Sequence, residues 1–209
     1  MSAALTLMQW LSPAFPVGAF AYSHGLEQAI ADGQVSDPET LQDWIATLIT
    51  HGSARADAIL LVAAYRTDDP AQIDGHARAF AASAERLKEA DLQGAAFCDT
   101  ARAVWTIPLT GLTYPVAVGA AARAMDIPLA QTLPLYLHGF ASNLVSAAQR
   151  LMPLGQTAGQ QVLASLAPAI TATATEAASS TLDDLAATSF AADIAAMRHE
   201  TLQPRIFRT

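Results

Sequence analysis

The sequence predicts an all-α chain, on three observations. Apolar residues recur at i, i+3, i+4 and i+7 in segment after segment, the spacing of one helix face. Two segments open on Asp-Pro, at Asp37-Pro38 and Asp69-Pro70. Aspartate suits a helix N-cap and proline the first helical position, so each pair marks a helix start. Sustained alternation of apolar and polar residues between hairpin turns, the signature of strands, does not occur. At 209 residues, 52% hydrophobic and 14% charged, the chain can bury the core of one domain.

The elements follow in order. The N-terminal "MSAALTLMQWLSPAF" has no basic leader and only a short apolar run, so a secretory signal is not expected. The next stretch, "SPAFPVGAFAYSHGLEQAI" from Ser12 to Ile30, is unlike its surroundings. Pro13 and Pro16 hold the residues before them extended. Gly18 relaxes the steric limits ahead of a helix expected from about Ala19, with Tyr22, Leu26, Ala29 and Ile30 as its apolar stripe. Gly25 inside that helix would cost about 1 kcal/mol against alanine, which points to close approach of another backbone. Phe15 and Phe20 are expected to pin the segment to the core.

From Asp37 the stripe runs Leu41, Trp44, Ile45, Leu48, Ile49, and Gly52 ends it. "RADAILLVAAYR" reads as a buried helix and the Asp69-Pro70 segment as another. "ERLKEADLQGAAFCDTARAVW" reads as a longer, more exposed helix. After the break "TIPLTGLTYP", helices are expected over 116–125, 131–150, 156–173, 182–187 and 190–199, with "TATATEAASS" the weakest ordered stretch. The expectation is a single-domain bundle of about ten helices over residues 1–199, followed by a flexible C-terminal tail over 200–209.

In that tail, Pro204 blocks a continuing helix. Arg205 and Arg208 flank Ile206 and Phe207, so a segment with no evident core to join carries two interface anchors. The residues alone leave both a frayed terminus and a docking tail open.

Charge is distributed unevenly. Net charge is −8, which argues against nucleic acid as a partner. Between Ala103 and Thr175 only Arg123, Asp126 and Arg150 are charged. Two stretches there, 103–122 and 127–149, are long enough to span a bilayer. The first contains Pro108, Gly111, Pro115 and Gly119; the second holds Gln131, His138, Asn143 and Gln149, all costly in hydrocarbon. No basic cluster flanks either to set an orientation. A helical core that also meets another subunit or a partner explains the gap better than a membrane does.

Few chemistries survive. G-x-x-x-x-G-K-[ST] and G-x-G-x-x-G are absent, and Lys88 is the only lysine, so no nucleotide site is expected. Cys98 is the only cysteine, which excludes an intramolecular disulfide and a cysteine-cluster metal site and suits a reducing compartment. The five histidines, His24, His51, His76, His138 and His199, show no metal-binding spacing, and no cofactor is expected. A small hydrolase using Ser23, His24 and Glu27 is the alternative enzymatic reading. On a helix the three share one face, but consecutive Ser23 and His24 diverge, and no nucleophile elbow accompanies them. A polar docking face fits that cluster better.

Four blocks then resemble the urease accessory protein UreF family in order: "SPAFPVGAFAYSHGLE", "YPVAVGAAARAMDIP", "NLVSAAQRLMPLGQTAGQ" and "DIAAMRHETLQPRIFRT". Ala21, where that family often has serine, and "RIFRT", where it often has Arg-Leu-Phe-Arg-Ser, are conservative departures. The resemblance implies a non-enzymatic, cytoplasmic, dimeric chaperone for urease maturation by nickel insertion. Its implied partners are UreD (also called UreH), the GTPase UreG and apo-urease, with UreF bridging the first two and influencing GTP hydrolysis. Neither a membrane nor nucleic acid is implied. The partner-binding candidates are Tyr22, Ser23, His24, Glu27, Gln156, Gln160, Arg205, Ile206, Phe207 and Arg208, the tail residues being those the resemblance places against UreD.

Overall fold

A computed structural model describes residues 2–209. Eleven α-helices and two single-turn 3-10 segments make up its regular structure among the described residues, and no strand is present there. The expected all-α architecture is the observed one. The helices are α1 (Ala3–Trp10), α2 (Leu26–Ala31), α3 (Pro38–His51), α4 (Ser53–Arg66), α5 (Pro70–Phe80), α6 (Ala84–Trp105), α7 (Tyr114–Ala124), α8 (Leu129–Leu151), α9 (Gln156–Ser165), α10 (Ala167–Ala177) and α11 (Phe190–His199).

Local chemistry sets several boundaries. Asp37 caps α3 by accepting from the Thr40 N–H at 2.8 Å, and Pro38 opens the helix. Ser83 caps α6 in the same way from the Arg86 N–H. Pro70 opens α5, although Asp69 makes no side-chain cap bond.

Three expectations need correction, and one helix lies outside them. The helix expected over 156–173 is two helices, because Leu166 ends α9 and Pro168 restarts the chain in the first turn of α10. The supposedly weak stretch after Thr171 continues that second helix to Ala177. Residues 182–187 hold only a 3-10 turn at Leu182–Asp184. Helix α1, which the sequence reading left unassigned, buries Leu7 and Trp10.

The centre of the bundle is α4, packed most extensively on α7. Alanine and valine dominate both facing surfaces: Ala54, Ala58, Val62, Val116, Ala117, Val118 and Ala121 are all buried. Small side chains let two helices approach closely, and this pairing accounts for much of the uncharged stretch around residue 116. Trp10 and Phe15 meet Phe97 of α6 with ring centroids 5.4 and 5.5 Å apart, which fixes the N-terminal elbow to the core.

The segment 103–122 is not a span, since the chain between Trp105 and Tyr114 is non-helical. Among the described residues one helical stretch, Pro38–Arg66, is long and apolar enough to cross a bilayer. It is divided at Gly52 between α3 and α4, and most of it is buried in the bundle.

Candidate functional site

The elbow after α1 does not continue as one helix. Gly18 has φ +72°, a single 3-10 turn covers Ala19–Ala21, and Tyr22 is extended. His24 (φ 52°) and Gly25 (φ +76°) both lie in the left-handed region, so α2 starts only at Leu26. The shared helical face expected for Ser23, His24 and Glu27 is therefore absent. The close approach inferred at Gly25 is present for a different reason. A Cβ there would meet the Ala196 nitrogen at 2.8 Å and the Ala192 carbonyl oxygen at 3.1 Å, so α11 crosses directly over the left-handed turn.

Phe15 is buried as expected. Phe20 is not: it is 67% exposed, because the short turn after Gly18 aims it outward while its carbonyl oxygen accepts from Arg150. Ser23 is fully buried and Glu27 nearly so, which corrects their reading as part of an open polar face; Tyr22, expected on the apolar stripe, is buried as well.

What covers them is the C-terminal tail. Rather than trailing free, residues 205–209 fold back along the elbow. Arg208 N–H donates to the Ala21 carbonyl at 2.8 Å, and Ser23 N–H donates to the Thr209 carbonyl oxygen at 2.9 Å. The Ser23 hydroxyl also donates to that oxygen. Phe207 is 2% exposed, with the Arg150 guanidinium 4.2 Å above its ring.

Glu27 organises the seat. Its Oε1 accepts the Ile206 N–H at 2.7 Å, and its Oε2 accepts the Phe207 N–H at 2.9 Å. The same Oε2 lies 3.0 Å from Nε2 of His199, whose ring is fully buried. The other ring nitrogen, Nδ1, lies 2.8 Å from Oε2 of Glu85, and Glu85 also binds Arg205. Both nitrogens donate to these carboxylates when the imidazole carries both protons. The sequence of contacts Arg205, Glu85, His199, Glu27, tail backbone thus ties α6, α11 and α2 to the tail.

A second buried network adjoins the first through Thr209. Its hydroxyl donates to Glu89 at 3.3 Å. Glu89 also takes His24 Nε2 at 3.1 Å, Gln93 Nε2 at 2.9 Å and, more distantly, Arg86. Arg86 binds Asp57 at 2.6 Å, and the Tyr136 hydroxyl donates to the same carboxylate at 3.0 Å. Burial alone would raise the Glu89 pKa, but the charges of His24 and Arg86 outweigh it and hold the carboxyl below its usual range. For Arg86, burial opposes the charge, yet Asp57 and Glu89 keep the guanidinium firmly protonated. Burial pushes the Tyr136 phenol well above its usual value, and the Asp57 charge adds to this. A cavity of about 60 Å³ lies against this network, between Trp10, Phe140 and Asn143.

The hydrolase arrangement is not assembled. Ser23 is buried with its hydroxyl committed to Thr209, and Glu27 orients His199 rather than His24. Of the other candidates, Gln156 and Gln160 are exposed on α9, away from the clasp. Gln156 accepts from Gln149 at 3.3 Å. Arg205, Ile206 and Arg208 are exposed on the seated tail.

The sequence reading missed Glu85, Arg86, Glu89, Asp57 and His199. The signal was present on α6, where Glu89 and Gln93 fall on the stripe that continues to Phe97, Cys98 and Ala101. Charges on an apolar stripe imply partners, not solvent.

Comparison with known proteins follows the whole chain. The family model described as UreF matches residues 35–167. A urease accessory protein UreF from Ruegeria sp. (strain TM1040) is 60% identical over 210 residues, covering 99% of this chain and 98% of the relative. One from Roseobacter denitrificans is 55% identical over 207 residues, covering 98% and 93%. One from Cereibacter sphaeroides is 53% identical over 210 residues, covering both chains in full. The elbow and the tail lie outside the residues matched by the family model, while the alignment with the Cereibacter sphaeroides relative covers the whole chain.

Proposed function

The chain belongs to the urease accessory protein UreF family, and on that footing we propose that it is a non-catalytic cytoplasmic scaffold for urease maturation. In this reading it bridges UreD and the GTPase UreG, influences GTP hydrolysis by UreG, and serves the insertion of nickel into apo-urease. It does so as a homodimer, and the tail at Arg205, Ile206, Phe207 and Arg208 forms part of the contact with UreD.

The observation that supports the reading is identity of 53–60% over essentially the full length to proteins named urease accessory protein UreF. The buried ionic networks add support of a structural kind. Their titratable groups are spent on one another and on the tail, an arrangement that shapes a surface rather than one that presents a nucleophile. Deleting the coding region should abolish activation of co-expressed urease, and full activation without it would refute the role. Light scattering on the purified chain, alone and then with UreD and UreG, reports the dimer and the larger complex in one experiment. A monomer that joins neither protein would count against the bridge.

A further inference from the structure

We propose that the cavity of about 60 Å³ between α1, the elbow and α8 is a binding site for ordered water, and that this water links Trp10 to His24 and fixes the His24 ring against Glu89. The inference does not depend on which partners the chain meets.

Two buried nitrogen atoms belong to residues that line this cavity and have no hydrogen-bond partner on the protein: Nε1 of Trp10 and Nδ1 of His24. Trp10 is fully buried, and the His24 side chain is 11% exposed. A buried polar group left unpaired is strongly unfavourable, so in folded proteins it finds a protein partner or an ordered water. Neither ring is free to turn elsewhere. Trp10 is wedged between Phe97 and Trp105, with ring centroids 5.4 and 5.6 Å away. The His24 ring lies 4.6 Å from that of Phe140, its Nε2 is 3.1 Å from Glu89, and its backbone is left-handed. Trp44 and Trp105 also carry unpartnered indole nitrogens; Trp10 differ from them in sharing its cavity with an unpartnered imidazole nitrogen.

The chemistry of the lining selects the occupant. The Trp10 N–H only donates, so it needs an oxygen lone pair. With the Nε2 proton directed to Glu89, Nδ1 of His24 accepts in the neutral ring and donates in the charged one. A water oxygen serves both forms, whereas an anion serves only the charged one. Asp57 and Glu89 line the same space, and Arg86 is already engaged by both, at 2.6 and 3.5 Å. An anion would therefore enter beside two carboxylates whose counter-charge is taken, and a cation would meet the Trp10 N–H and Arg86. Water meets neither obstacle. Asn143 and Tyr114 supply further polar groups on the wall. At about 10–15 Å³ for each water, the cavity holds about four. Its lining runs from fully buried Trp10 to Phe20, which is 67% exposed, so solvent enters past Phe20.

Trp10 lies on α1 and His24 in the elbow, and Glu89 also accepts from Thr209. Bound water extends that buried network from Glu89, through His24, to α1. Trp10 is a positioning residue in this role: its N–H orients the water, and the water holds Nδ1 of His24.

The test uses the isotope-labelled full-length chain. Water–protein cross-relaxation should show a long-lived water at the Trp10 indole N–H. A high-resolution crystal structure should place water oxygens within hydrogen-bond distance of Trp10 Nε1 and of His24 Nδ1. Replacing Trp10 with benzothienylalanine, which exchanges the N–H for sulfur at nearly the same shape, should abolish the cross-peak and shift the His24 Nδ1 resonance. Trp10→Phe should do the same with some loss of stability. An unchanged Nδ1 resonance in the isosteric variant overturns the link to His24. Xenon bound in the cavity of a pressurised crystal, with no water there, identifies a dry apolar void and overturns the site. Saturable shifts of the His24 resonances with sodium formate, absent with sodium chloride at equal ionic strength, identify an anion site and overturn the assignment to water.

Discussion

Glu27 and His199 are 172 residues apart in sequence and 3.0 Å apart in the fold, and the carboxylate that meets the imidazole also holds the tail backbone. One side chain thus satisfies a buried histidine and two buried amides. Glu27→Ala removes the acceptor from the two amides and from the Nε2 side of His199, and should destabilise the protein by about 3 kcal/mol, the cost of leaving buried polar groups unsatisfied. Glu27→Gln keeps one carbonyl oxygen and should lose less. Hydrogen exchange at the Phe207 amide should accelerate in both variants. Unchanged protection there in Glu27→Ala would show that the clasp does not hold the tail.

The left-handed turn before α2 invites a comparison of two glycines with similar dihedral angles. Gly25→Ala combines a strained φ of +76° with a Cβ 2.8 Å from the Ala196 nitrogen, so α11 must shift. Gly18→Ala meets φ +72° but open space. The second should cost about 1 kcal/mol, the usual penalty for a left-handed alanine. The first should exceed 2 kcal/mol, because backbone atoms have nowhere to relax. Thermal unfolding of the two variants side by side checks the ranking, and equal losses would mean that α11 yields freely.

That turn also marks where the sequence stopped being legible. Asp37-Pro38, with the stripe from Leu41 to Ile49, placed α3 to the residue, because caps and helical periodicity are local properties. Helix α11 was equally readable over 190–199. The tail's seat was not, because it depends on Glu27, Glu85 and His199 meeting from three distant segments. Ser23, His24 and Glu27 stand out in the sequence as polar residues within an apolar chain. Their periodicity was misread: the left-handed His24 and Gly25 break a helix that residue spacing alone would continue. On α6, Glu85, Arg86 and Lys88 look like a solvated face, and only Glu89 and Gln93, on the stripe toward Phe97, signal buried partners.

Glu89 carries the clearest pH dependence. His24 and Arg86 overcome the opposing effect of burial and depress its folded-state pKa. A carboxyl depressed on folding contributes stability that is present above its unfolded pKa and is lost as pH falls through the folded value. Wild-type stability should therefore decline on the acid side, beginning at the ordinary glutamate range near pH 4 to 5. Glu89→Gln should be less stable than wild type near neutrality, and the gap should narrow as the pH falls. Urea midpoints measured from neutral to acid pH test this. A gap that widens toward acid would reverse the sign and exclude Glu89 as the source.

Adjacent tail residues should respond in opposite ways. Phe207 is buried under Arg150, whereas Ile206 is 68% exposed. Phe207→Ala removes the anchor, and truncation of a fully buried phenylalanine costs about 3 kcal/mol or more when the site cannot collapse. A terminal segment can instead detach, so the loss is limited to the free energy that seats the tail, and the global melting temperature should fall by less than that figure implies. The diagnostic measurement is local: proteolysis after Arg205 and amide exchange at Ile206 should both accelerate strongly in Phe207→Ala. Ile206→Ala should leave both rates and the melting temperature nearly unchanged, because most of its side chain is exposed. Were Ile206→Ala to release the tail while Phe207→Ala did not, the register in which Glu27 grips residues 206 and 207 would be wrong by one residue.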